Sequence, residues 1–287
     1  GSDGSLQRRD VATNKRVWKH AQAHGAAANA LACTGASGVA TGDDDGAVKL
    51  WDLRQRTEAL SFTESSDLVT DLAFVDGKAP TLVASSADGC LCTFDLRRGA
   101  LGAMSDNQED ELLSLAPMKN GTKLVVGTES GVLGIFSWGD WGDVSDRLLG
   151  HPQSVDAVVP INDDVLLSAS SDGTVGVWDV ESRTSVGALG GFPDKVYSVA
   201  ASGRLVFTGC KDGLVRIFRF VRGKFENSTF SGDLAYNTTL RAFGHHYTAG
   251  CRGVAQQGAA GDSSGTGSAR VANRNSGWPG VALRIGY

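Results

Sequence analysis

An all-β fold, a propeller of four-stranded blades, is what this sequence predicts, on three observations. The first is a glycine that returns at intervals of 40 to 43 residues, as Gly4, Gly46, Gly89, Gly131, Gly173 and Gly213. The second is a set of columns in phase with it. Two residues on stand Leu6, Val48, Leu91, Leu133, Val175 and Val215; five on stand Arg9, Trp51, Phe94, Phe136, Trp178 and Phe218; six on stand Asp10, Asp52, Asp95, Ser137, Asp179 and Arg219. The third is the clearest copy, residues 168–180 (SASSDGTVGVWDV), which reads as strand, Asp172-Gly173 turn and strand. Asp-Gly between alternating apolar runs marks a hairpin, because both central turn residues need positive φ. A period of forty-odd residues, four strands per unit, with Gly-His and Trp-Asp marks, defines the WD-repeat form of the β-propeller.

Taken in order, residues 1–20 carry the Asp3-Gly4 turn and two strands, the second half of a blade whose first two strands are missing. Five complete blades follow at about 21–63, 64–106, 107–150, 151–190 and 191–228, each with period-2 apolar alternation on either side of its turn glycine. The third departs from the others in a longer loop, Trp138-Gly-Asp-Trp-Gly142. After about residue 228 the pattern stops. Residues 229–287 read as a non-repeat tail, largely disordered, rich in Gly, Ser, Ala and Asn between 257 and 280. Propellers avoid exposed edges by closing on themselves. Five and a half repeats are expected to leave edges open unless the tail supplies strands, and 281–285 (VALRI) is its one suitable segment.

Composition narrows the function. With 41% hydrophobic and 21% charged residues the chain suits a packed globular protein. Its net charge of −5 is uneven: residues 221–287 hold seven Lys+Arg against three Asp+Glu, which leaves the repeat body at −9 and the tail at +4. That balance argues against direct nucleic-acid binding and for basic protein partners. Five scattered cysteines form no disulfide framework and point to a reducing compartment. No apolar run reaches the roughly 20 residues a membrane span needs.

Two blades carry sets that resemble hydrolase triads: His24, Thr41, Asp45 and Trp51 in one, His151, Ser168, Asp172 and Trp178 in the other. Recurrence in two separate blades argues against one catalytic centre and for a structural hydrogen-bond network within each blade. Cys90 and Cys92 lack a second pair at zinc spacing, no phosphate loop is present, and no metal or cofactor is expected. Two features exceed the needs of a blade. Trp51-Asp52-Leu53-Arg54 ends in an arginine, either a solvated cation or a contact for an adaptor protein. Trp138 and Trp141 either fold onto the outer strand of their blade or anchor a partner.

Beyond the generic repeat, Ala23-His24-Gly25, residues 40–46 (ATGDDDG) and Leu50-Trp-Asp-Leu-Arg54 are similar to one repeat of the WD repeat-containing protein 55 family. Residues 127–136 (GTESGVLGIF), Trp138-Gly-Asp-Trp-Gly142, Ser145-Asp-Arg147 and 150–156 (GHPQSVD) resemble that family's most individual stretch. The resemblance covers roughly residues 1–220, as the second half of blade two through blade seven of a seven-bladed ring. It implies a nuclear and nucleolar scaffold, without enzymatic activity, that supports ribosomal RNA production and ribosome biogenesis through ribosome-assembly proteins. It also implies, as an alternative, a substrate receptor of a cullin–RING ubiquitin ligase, whose adaptor would engage Trp51, Asp52 and Arg54. Phe94 and Val180-Glu181 depart from that Trp-Asp-x-Arg pattern, and the tail lacks the family's lysine-rich end.

Overall fold

The computed structural model describes residues 1–77, 79–189, 191–221, 224–228 and 281–284, with backbone alone from residue 220 onward. Strands β1 (Leu6–Asp10) and β2 (Arg16–His20) form the half blade. Blade 1 holds β3 (Ala28–Cys33), β4 (Gly38–Asp43), β5 (Val48–Asp52) and β6 (Thr57–Phe62). Blade 2 holds β7 (Val69–Val75), β8 (Thr81–Ser86), β9 (Leu91–Asp95) and β10 (Ala100–Met104). Blade 3 holds β11 (Leu112–Met118), β12 (Lys123–Thr128), β13 (Val132–Ser137) and β14 (Asp146–Leu149). Blade 4 holds β15 (Val155–Pro160), β16 (Val165–Ser170), β17 (Val175–Asp179) and β18 (Thr184–Leu189). Blade 5 holds β19 (Val196–Ser202), β20 (Leu205–Cys210), β21 (Val215–Val221) and β22 (Lys224–Ser228).

Every blade is an antiparallel meander with its strands in chain order. Between blades it is the first strands that pack together, β3 on β7, β7 on β11, β11 on β15 and β15 on β19, so they stand innermost and the fourth strands outermost. Burial follows this order. In β18 only Leu189 is buried, whereas β15 buries four of its six residues. Each first strand carries a bulge one residue in, at Asn29, Thr70, Leu113, Asp156 and Tyr197, where the ladder skips a pairing and the strand twists more strongly.

The hydrophobic core lies between blades rather than within them. One cluster joins Ala30, Val48 and Phe62 of blade 1 to Leu72, Leu82 and Phe94 of blade 2. Others join blades 2 and 3, 3 and 4, and 4 and 5, while Leu6 of the half blade packs with Leu31, Val39 and Trp51. A blade alone could not bury its apolar faces, which is the physical reason such repeats fold as an array. Within this seam Phe62 and Phe94 stack at 4.3 Å.

A further strand, β23 (Val281–Arg284), pairs antiparallel with β1, Gln7 opposite Arg284 and Asp10 opposite Val281. The half blade is thus a three-stranded sheet ordered β2-β1-β23, and the tail segment with a strand pattern occupies the inner edge of β1. The expectation of disorder across the rest of the tail lies outside the described residues. No helix among the described residues is long and apolar enough to cross a membrane.

Candidate functional site

The turn glycines have φ between +64° and +91°. The site they build is the meeting of each β-turn with the loop that enters the next blade. At Gly131, φ +91°, a Cβ would also stand 2.6 Å from the carbonyl oxygen of Gln153. Backbone bonds seal the junction, His24 N–H to Gly4 O (3.0 Å) and His151 N–H to Gly131 O (3.2 Å).

In blade 4 this brings His151, Ser168, Asp172 and Trp178 together. Trp178 Nε1 donates to Ser168 Oγ at 2.7 Å, and Ser168 Oγ stands 2.7 Å from His151 Nε2. His151 Nδ1 reaches Asp172 Oδ2 at 3.0 Å. Because an indole can only donate, the hydroxyl proton goes to Nε2 and Nδ1–H faces the carboxylate. Burial pushes the Asp172 carboxyl up, but hydrogen bonds from Thr174 and His151 outweigh it and hold the group below its ordinary value. Gly150 completes the arrangement, since a Cβ there would overlap the Trp178 indole.

In blade 1, Trp51 Nε1 donates to Thr41 Oγ1 at 2.8 Å, and Thr41 Oγ1 lies 2.6 Å from His24 Nε2. The carboxylate on His24 Nδ1 is Asp43, at 2.7 Å, and not Asp45. The reason is local. Asp43 Oδ1 also accepts the amides of Asp45 (3.1 Å) and Ala47 (2.8 Å), so one side chain caps the turn and reaches the histidine. In blade 4 those two tasks are divided between Ser170, which accepts the Asp172 amide at 3.1 Å, and Asp172 itself. Asp45 is left exposed. The sequence signal was an Asp at the place where the other blades have Ser86, Thr128, Ser170 and Cys210, hidden within three consecutive aspartates.

Thr41 and Ser168 are fully buried. Each hydroxyl accepts an indole N–H, donates to a histidine and has no surface open to a substrate. These sets are struts. Blade 2 has an apolar version, with Ser65, Ala84 and Phe94 where blade 1 has His24, Thr41 and Trp51. Cys90 and Cys92 are buried; burial pushes both thiols up, Cys92 to about 11, which keeps them protonated packing groups. Among the described residues no three His, Cys, Asp or Glu side chains are arranged to hold a metal.

The aspartate of the Trp-Asp column has its own task. Asp52 Oδ1 accepts the Arg54 amide (2.8 Å), Asp95 Oδ1 those of Arg97 (2.9 Å) and Arg98 (3.2 Å), and Asp179 Oδ1 those of Glu181 and Ser182 (both 2.9 Å). Arg54 is 74% exposed and its guanidinium grips Asp52 through Nε (3.2 Å) and Nη2 (3.0 Å), which holds the Asp52 carboxyl below its ordinary value. Trp138 and Trp141 meet edge to face at 4.9 Å and lie half-buried against the core shared by blades 2 and 3.

Sequence reasoning missed two contacts between blades. Asp71 is buried in β7 and accepts the amide of Leu115 in β11 at 2.8 Å. Lys119, in a 3-10 turn, pairs with both Asp164 and Glu181 of blade 4. Both depend on neighbours more than forty residues away, which no local pattern encodes.

Blades of this form joined through shared cores define a WD-repeat propeller, the class of protein that serves as a platform for binding other proteins. The family model described as WD domain, G-beta repeat matches residues 142–179 and 183–219. Each matched segment begins near the outer strand of one blade and ends at the third strand of the next, so the sequence repeat staples neighbouring blades. The chain is 38% identical over 170 residues to WD repeat-containing protein JIP5 of Cryptococcus neoformans, covering 58% of this chain and 45% of that one. It is 34% identical over 209 residues to WD repeat-containing protein 55 of Arabidopsis thaliana, covering 72% and 59%. With the human protein of that name it shares 29% identity over 213 residues, 73% and 55% covered. Among solved structures, the computationally designed Ika8 protein superposes with a TM-score of 0.64 at 22% identity, over 78% of this chain and 67% of that one, a likeness of fold. The chain belongs to the WD repeat-containing protein 55 family, and it spans about half the length of the curated relatives it matches.

Proposed function

We propose that the chain is a non-enzymatic scaffold in nucleolar ribosomal RNA production and ribosome biogenesis, holding basic assembly proteins. The observation that carries this is an acidic face. The turn and entry loops of blades 1 to 3, at residues 43–47, 63–68, 86–90, 105–111 and 129–131, are rich in Asp and Glu and contain no Lys or Arg. Backbone bonds hold turn and entry loop side by side, Asp44 N–H to Ala27 O (3.0 Å) and Glu129 N–H to Glu111 O (3.0 Å). Crowding there is strong enough that burial and the neighbouring Glu129, Asp67 and Asp110 push the Glu111 carboxyl up. Such a surface attracts lysine- and arginine-rich proteins and repels bare RNA. The full-length protein, tagged in cells, should enter nucleoli and cosediment with precursor ribosomal particles. Replacing Asp45, Asp67 and Glu109 by Lys should release it from them; unaltered cosedimentation would reject the acidic face as the contact.

A second reading, a substrate receptor of a cullin–RING ligase, is favoured by the exposed, Asp52-braced guanidinium of Arg54. Arg54→Ala should then abolish capture of the ligase adaptor while leaving particle association intact.

A further inference from the structure

We propose that the seam between the outer edges of blades 1 and 2 is a docking surface for an acidic, leucine-bearing segment of a partner protein. Two successive turns meet there, β5 to β6 and β9 to β10. Their aspartates are already committed, Asp52 to the amide and guanidinium of Arg54 and Asp95 to the amides of Arg97 and Arg98. Arg56, Arg97 and Arg98 are exposed, and no carboxylate among the described residues pairs with them. Packing joins the two turns. A Cβ at Gly99 would lie 3.1 Å from the Leu60 side chain on β6, and Leu60, Leu96 and Leu101 are half-buried against the core that blades 1 and 2 share. The result is a strip of partly exposed leucine flanked by guanidinium groups.

The next blades differ. On the same side of blades 3 and 4, Lys119 is matched by Asp164 and Glu181, and Arg183 by Asp146 at 2.6 Å. In a chain with more acid than base, three unmatched arginines on two adjoining turns are available to a partner from outside, and a guanidinium suits a carboxylate bidentately. Nucleic acid fits less well. Single strands bind through stacking on exposed aromatic rings, and Trp51, Phe62 and Phe94 of blades 1 and 2 are buried. The acidic body also opposes a polyanion at long range.

This inference rests on the interaction-scaffold reading and not on its nucleolar part, so failure of one leaves the other standing. The test uses the full chain, a labelled synthetic peptide of repeated Glu-Glu-Leu, and fluorescence anisotropy at low salt. Binding should weaken with added salt and fall about tenfold in Arg97→Glu/Arg98→Glu. It should survive in Arg54→Ala, and in Arg204→Glu/Lys211→Glu, which alters net charge equally at exposed sites on blade 5. Arg56→Gly removes a cation at φ +60°, so this variant should bind the peptide more weakly while unfolding at higher urea. Failure of the wild-type chain to bind, equal loss in the two charge-reversed double variants, or preference for an oligouridylate over the peptide would each overturn the proposal.

Discussion

Thr41→Val tests the strut reading most directly. The replacement keeps the shape of the side chain and removes only its hydroxyl, which lies at a fully buried position between Trp51 Nε1 (2.8 Å) and His24 Nε2 (2.6 Å). Both groups then lack a partner in the dry interior. Each orphaned polar group costs about 1–3 kcal/mol, so the variant should lose about 2–6 kcal/mol. At about 2–4 °C per kcal/mol for a chain of this size, the melting temperature should drop by roughly 4–24 °C. Urea unfolding followed by indole fluorescence and far-ultraviolet circular dichroism should show a lower midpoint with an unchanged slope. A double-mutant cycle with Trp51→Phe sharpens the test. Once the indole N–H is gone, the missing hydroxyl orphans one group instead of two, so the double variant should be about 1 kcal/mol more stable than the two single losses predict. Strict additivity, or a loss below about 0.5 kcal/mol for Thr41→Val alone, would refute the reasoning.

Other outcomes follow from the same geometry. Burial holds the His24 imidazole below its ordinary value, with Lys49 and the N-terminal amine adding to this and Asp43 opposing it. The unfolded state therefore takes up the proton first, and stability should fall as pH drops below about 6.5 toward the lower folded value. Melting temperatures between pH 7.5 and 5.5 check this, and a flat profile would contradict it. Asp71→Ala removes the acceptor of the buried Leu115 amide and should cost about 1–3 kcal/mol in urea unfolding, with Asp71→Asn milder. Gly150→Ala forces the Trp178 indole away from Ser168 and should cost about 1–3 kcal/mol, visible as a shift in tryptophan emission. With a thiol reagent, exposed Cys33 should react well before Cys90, Cys92 and Cys210, which are buried with their thiols pushed up.

Much of the blade was legible because its requirements are local. A positive-φ turn admits glycine readily, a half-buried strand alternates, and the aspartate six residues past the glycine caps a turn two or three residues away. Those constraints act over a few bonds and leave columns in the sequence. The struts were legible as residue types, yet one partner was misassigned. Asp43 and Asp45 lie two residues apart and differ in which side of the turn they face, and composition does not encode that.

By itself, then, the sequence determined the repeat, the turn positions and every residue of the struts except the carboxylate on His24, which is Asp43 and not Asp45. Tertiary structure decided what those blades do to one another. The core forms between blades, so Phe62 meets Phe94, Asp71 meets Leu115 and Lys119 meets Asp164 only once neighbouring units pack. The same holds for charge. In the linear chain the carboxylates of blades 1 to 3 and the arginines of blades 1 and 2 are interleaved. The meander carries successive loops to opposite sides, so only folding separates an acidic face from an arginine-lined seam.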